Sequence, residues 1–131
     1  MRRKLTLSLA AGMLAIAVPA LAHHSFAMFD PNKVVVLKGE VSEFRWVNPH
    51  VALFVAEGGS ADPARQWSVE LTSPGNLKRR GWNRAVLKRG DKVEVEINPL
   101  RDGRHGGGFR SVKLVDTGQV LTARLVAIEQ N

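Results

Sequence analysis

The sequence predicts an all-β protein: a small five-stranded Greek-key barrel of the OB type, with one short helix between strands 3 and 4. Three observations predict it. Gln66–Thr72 and Lys92–Asn98 alternate apolar and polar residues, as half-buried strands do. The long first strand changes phase partway along. A helix start interrupts the strands after the third of them. Three strands, a short helix and two more strands is the element order of the OB fold. An open β-sandwich of similar size is the competing architecture.

The chain opens on an export signal. Arg2, Arg3 and Lys4 form a positive stretch, Leu5–Val18 is almost wholly apolar or small, and Pro19 precedes Ala20-Leu21-Ala22. That is the pattern of a secretory signal peptide cut after Ala22, and the apolar run is too short to span a bilayer. The protein is therefore expected to be exported, periplasmic or secreted, with no stable membrane span after cleavage. Removal of residues 1–22 leaves 109 of the 131 residues, enough for one core, and lowers the formal charge from +7 to +4. Nucleic acid is not an expected partner of an exported protein. There is no cysteine, which excludes disulfides and thiolate ligands alike.

Residues 23–32 have no clean period and read as an arm, ending in the turn residues Asp30-Pro31-Asn32. The barrel is expected over 33–118. Its first strand covers Lys33–Val47, where Val35, Leu37 and Val41 share one parity and Phe44 and Trp46 the other. A change of phase requires an extra residue or a sharp bend, and Gly39 lies nearby. Asn48-Pro49 turns the chain, and His50–Glu57 is apolar on both parities, as a central strand would be. A Gly, Ser and Pro loop leads to Gln66–Thr72, with Trp67, Val69 and Leu71 inward. Glu40, Glu43 and Glu70 fall at outward positions.

Ser73 is a helix N-cap, Pro74 suits the first helical position, and Gly81 is a stop, which gives a helix over Pro74–Arg80. Trp82 and Leu87 can cover the end of the barrel. After Lys92–Asn98, the stretch Leu100–Gly108 reads as a loop because of Asp102-Gly103 and three consecutive glycines, with Arg101-Asp102 as a turn pair. Phe109–Val115 is the fifth strand. Residues 119–131 are open: Leu121, Leu125 and Ile128 fit a helix, whereas Val120–Val126 could add a strand.

His23-His24-Ser25-Phe26, Trp46-Val47-Asn48-Pro49-His50, Ser73-Pro74-Gly75-Asn76-Leu77, Gly81-Trp82 and Asn98-Pro99-Leu100-Arg101-Asp102-Gly103 occur together in one chain. In these motifs, and over nearly its whole length, the sequence resembles the small exported bacterial proteins grouped as domain of unknown function 6152. The resemblance implies the fold and the compartment. It brings no activity with it.

The chemistry available to the mature chain begins at its terminus. Cleavage after Ala22 makes His23 the first residue, and its α-amine and ring Nδ1 can chelate a metal. A third nitrogen from His24 or His50 completes a T-shaped set of three nitrogens, which suits Cu(II). Met28 adds a thioether that could help hold Cu(I). Copper is thus the expected cofactor if there is one, with His23, His24, His50 and Met28 as its candidate ligands. The alternative for His23 and His24 is a solvated arm. His105 lies in a Gly-rich loop that reads as too flexible to preorganise a ligand.

A second set of candidates needs no metal. Trp46, Asn48 and Trp82, with Arg79 and Arg80, could bind a flat or anionic ligand by stacking and charge. Lys78, Arg84, Lys88 and Arg89 extend the basic stretch, which as easily forms a solvated face. Partners are therefore a metal ion or a small anionic ligand, with a protein or glycan also open. No GxSxG, HExxH or phosphate loop occurs, and no catalytic residue is assigned. The reading is a binding module, with a copper-dependent redox enzyme as its rival.

Overall fold

A computed structural model describes residues 26–125 of the chain. Six strands are present among the described residues: β1 Val35–Arg45, β2 Ala52–Glu57, β3 Gln66–Glu70, β4 Lys92–Pro99, β5 Gly106–Leu114 and β6 Val120–Thr122, with the helix α1, Pro74–Arg79, between β3 and β4. They form one sheet in the order β3-β2-β1-β4-β5-β6. Parallel pairing of β3 with β5, Ser68 opposite Gly106 to Glu70 opposite Gly108, closes the first five into a barrel. The expected barrel is therefore present, not an open sandwich. The strand β6 is appended to it as a short hairpin partner of β5, so the region around Val120 forms a strand and not a helix.

The first strand earns its length by pairing on both sides. Val35–Glu40 pairs with β4, and Gly39–Arg45 pairs with β2. The change of phase is a bulge at Ser42, where the register with β2 slips between Val41 and Glu43. Gly39 does a different job: at the point where β1 serves both neighbours, a Cβ on it would lie 2.0 Å from the Ala56 carbonyl oxygen. The bend therefore needs both features, the extra residue for phase and the missing Cβ for approach.

Inside the barrel, Leu37, Val41, Leu53, Val55, Val69, Val93, Val95, Ile97, Phe109 and Val112 are buried and form one core. The short helix closes it with Leu77, and Trp82 and Leu87 follow from the connection to β4. Trp82 packs edge-on against Phe109, with ring centroids 5.5 Å apart. At 3% exposure Trp82 is core and offers no stacking face, which removes it from the candidate ligand residues. Its size and its position after a helix stop suit a plug, and a plug must face inward.

The helix forms where Ser73 and Pro74 specify it. The Ser73 hydroxyl accepts from the Asn76 amide at 3.3 Å, and the chain leaves the helix through Gly81 at φ 83°. Replacing Ser73 by alanine removes the acceptor and should cost about 1 kcal/mol, read as a lower urea midpoint with an unchanged slope.

The run Gly106-Gly107-Gly108 is not a loop. These residues are buried in β5 between β3 and β4. A Cβ on Gly107 would meet the Asn98 carbonyl oxygen at 2.5 Å, and one on Gly106 would meet the Ser68 carbonyl oxygen at 2.9 Å. Glycine occurs here because two neighbouring backbones leave no room for a side chain.

Candidate functional site

The site is built by three connections that converge on β3. In the first, Val51 exchanges backbone hydrogen bonds with the two residues that follow β3: its N–H donates to Thr72 at 3.1 Å and its carbonyl accepts from Leu71 at 2.8 Å. His50, one residue earlier, is thereby carried to Glu70, and its Nδ1 lies against Glu70 Oε1. A carboxylate can only accept, so a hydrogen bond at that contact would need the proton on Nδ1 and would leave Nε2 of the neutral ring as the ligating nitrogen. Both side chains are about one-third exposed. Glu70, read from the sequence as an idle outward residue, is the group that orients His50.

The second connection is the arm. Phe29 is 2% exposed and bridges to Leu100. The Arg101 amide donates to the Met28 carbonyl at 2.9 Å, and Arg101 Nε donates to the Ala27 carbonyl at 3.1 Å. Arg101 is therefore an anchor for the arm, and Asp102 pairs instead with Arg104 at 2.7 Å. The Arg104 backbone N–H, followed by its guanidinium, holds the Asp102 carboxyl below its ordinary range. Buried Asn98 adds the strongest clamp: its amide nitrogen lies 3.2, 3.3 and 2.8 Å from the carbonyls of Asp30, Pro31 and Lys33. Residues 26–33 are thus docked along the end of β4.

The third is the β4–β5 connection, which holds His105. Its ring stacks on Trp67 with centroids 4.5 Å apart and an interplanar angle of 7°. Its carbonyl accepts from the Ser68 amide at 3.1 Å, and Trp67 Nε1 donates to Glu57 at 3.3 Å. The loop is therefore well anchored, and the expectation that His105 is too flexible to be preorganised is corrected. What holds it is a flat contact with a residue 38 positions earlier, which spacing along the chain does not reveal.

Between these pieces lies a cleft of about 320 Å³, lined by Met28, Phe29, Ser68, Glu70, Leu100, Arg104, His105, Gly106 and Gly107. Met28 thus faces the cleft that Glu70 borders, and His50 is in contact with Glu70. Among the described residues, no three His, Asp or Glu side chains come together at metal-binding range. His23 and His24 lie outside the described residues.

The other candidates are dispersed. Trp46 is half-buried against the core and meets Phe44 edge-on at 5.8 Å. Asn48 is exposed in the turn before His50, and its bond to Pro49 is cis. Arg79 and Arg80 are exposed at the end of α1, with the Arg79 guanidinium donating to the Asn76 side chain. No helix among the described residues is long and apolar enough to cross a membrane.

Fold and site together define a small closed barrel of OB type. Its cleft lies on β3 between the arm and the β4–β5 connection, one of the loops by which such barrels take ligands. Residues 10–109 match the family of unknown function DUF6152, and the chain belongs to that family. No curated protein and no solved structure matches it.

Proposed function

We propose that this protein is an exported binding module that holds Cu(II) between its processed N-terminus and His50. The observation that carries the reading is the His50–Glu70 contact. A carboxylate on one ring nitrogen fixes the tautomer, aims the other nitrogen outward and raises its basicity, which is how metal-ligating histidines are supported. His50 would supply Nε2, and His23 would supply its amine and Nδ1. The chain from His23 to Phe26 reaches at most about 10 Å. The arm beyond Phe26 is docked beside the cleft that Glu70 borders. Met28 in that cleft is a soft donor for the reduced ion. His24 is the alternative third nitrogen.

Cu(II) titration followed by electron paramagnetic resonance tests this on the processed protein, a form with one residue added ahead of His23, and His50→Ala. The processed form should bind one Cu(II) with a three-nitrogen spectrum. The extended form should lose the amine chelate and bind more weakly, with a changed spectrum. His50→Ala should lose one nitrogen. Binding should weaken as pH falls, because protons compete for the amine and both imidazoles. An extended form with the same affinity and spectrum would sink the proposal.

A metal-free ligand is the competing reading, favoured by the cleft's place on the barrel. It predicts binding unchanged by copper removal. Sustained peroxide formation from ascorbate and oxygen by the copper form would instead mark a redox enzyme.

A further inference from the structure

The connection from α1 to β4 carries a charge pattern that the cleft does not use. Between Leu71 and Gly90 there is no acidic residue, yet Lys78, Arg79, Arg80, Arg84, Lys88 and Arg89 fall within it. All six are exposed. The same segment puts Leu77, Trp82 and Leu87 into the core, so its apolar residues point in and its cations point out. Among the described residues, none of the six is in an ion pair with a carboxylate. Asp91, the nearest acid in sequence, has its carboxylate on the Lys88 backbone N–H at 2.8 Å. The mature chain has a net charge of +4, so a segment of +6 leaves the remainder slightly acidic. The charge is concentrated on this one cap and not spread over the surface.

We infer that the Lys78–Arg89 cap docks the protein on an anionic phospholipid surface. A single phosphate is held by two or three donors that converge on one point. Here the cations are divided among a helix end, a loop and a turn, and the Arg79 guanidinium is already engaged by Asn76. Separate point charges suit a surface that presents many anions, where each Lys or Arg adds to the attraction and salt removes it. The segment's inward residues fix it to the barrel, so the cations are presented without ordering a loop on binding. None of them lines the cleft beside Glu70, and docking does not depend on copper.

Sedimentation of the processed protein with vesicles tests this. Vesicles of phosphatidylcholine with one-third phosphatidylglycerol should bind it at low salt, and pure phosphatidylcholine should not. Arg79→Glu/Arg80→Glu should weaken binding at least about tenfold. Arg65→Glu/Lys113→Glu makes the same change in net charge at exposed sites elsewhere and should weaken it much less. Circular dichroism checks that both variants are folded. Equal losses in the two variants would reduce the effect to net charge and overturn the proposal. So would binding that survives 1 M salt, or a failure to bind anionic vesicles at low salt. Binding to an acidic polysaccharide but not to vesicles would assign the cap to a different partner and overturn it as well.

Discussion

Gly39→Ala should leave the protein largely unfolded, with a cost above about 4 kcal/mol in a domain whose total stability is of the order of 5–15 kcal/mol. The added methyl would sit 2.0 Å from the Ala56 carbonyl oxygen and 2.8 Å from its carbon. Both are backbone atoms in a paired strand, so no side-chain rotation relieves the clash. Nor can β1 move away, because Gly39 pairs with Glu57 on one side and Val93 on the other. Gly75→Ala is the natural comparison. That position is helical, and a Cβ there would meet only the tip of Arg79 at 3.8 Å. It should stabilise the protein by about 0.5–1 kcal/mol, since alanine loses less backbone entropy than glycine in a helix. Urea unfolding followed by circular dichroism reads both. A Gly39→Ala midpoint equal to that of the parent would show that the two strands do not approach this closely in solution.

The contrast between these glycines also explains what the sequence could and could not disclose. The bend of β1 is legible because the apolar parity changes between Val41 and Phe44, across the bulge at Ser42, whereas the close approach that requires Gly39 is not. The helix was visible because Ser73 and Pro74 act on their own local backbone. Alternation in Gln66–Thr72 and Lys92–Asn98 identified strands by the face each buries. All these signals are local. Gly106-Gly107-Gly108 has no side chains to alternate, so its strand pairing is silent in sequence, and its close neighbours, Ser68 and Asn98, come from β3 and β4.

The candidate site was legible to a similar depth. His50 stood out as a donor after a rigid turn, but its partner Glu70 lies 20 residues away and is met only through the pairing of β2 with β3. Three glycines follow His105 and make it read as unsupported along the chain, whereas its support is Trp67. Trp82 carries the same apolar and aromatic character whether it plugs a barrel or stacks on a ligand. Only its 3% exposure decides between the two. Composition names the chemistry a residue can do, and the closure of the barrel determines which residues can do it together.

Asn98→Ala should destabilise the protein by about 2–4 kcal/mol and release the arm. Asn98 is 1% exposed, and its amide nitrogen approaches three arm carbonyls while its oxygen accepts from Arg110 Nη1 at 3.4 Å. Alanine would take the donor from those carbonyls, leaving the Asp30 carbonyl the Lys33 N–H at 3.3 Å, and an acceptor left without a partner beside a cavity costs more than its hydrogen bond contributes. It would also leave Arg110 with less support, when its Nε is already buried without a partner. The consequence for function is separable from the loss of stability. The arm's other ties, Asp30 N–H to Pro99 and Arg101 to Ala27 and Met28, do not involve Asn98, so the barrel should still fold at low temperature. Under those conditions amide hydrogen exchange should rise over residues 26–33 while the core strands stay protected. If the arm carries His23 to His50, Cu(II) affinity should fall in the same variant, because the chelate must then order the arm as it binds. Unchanged exchange in the arm would show that Asn98 is not its clamp. Faster exchange with unchanged copper affinity would show that the copper ligands do not depend on where the arm is docked.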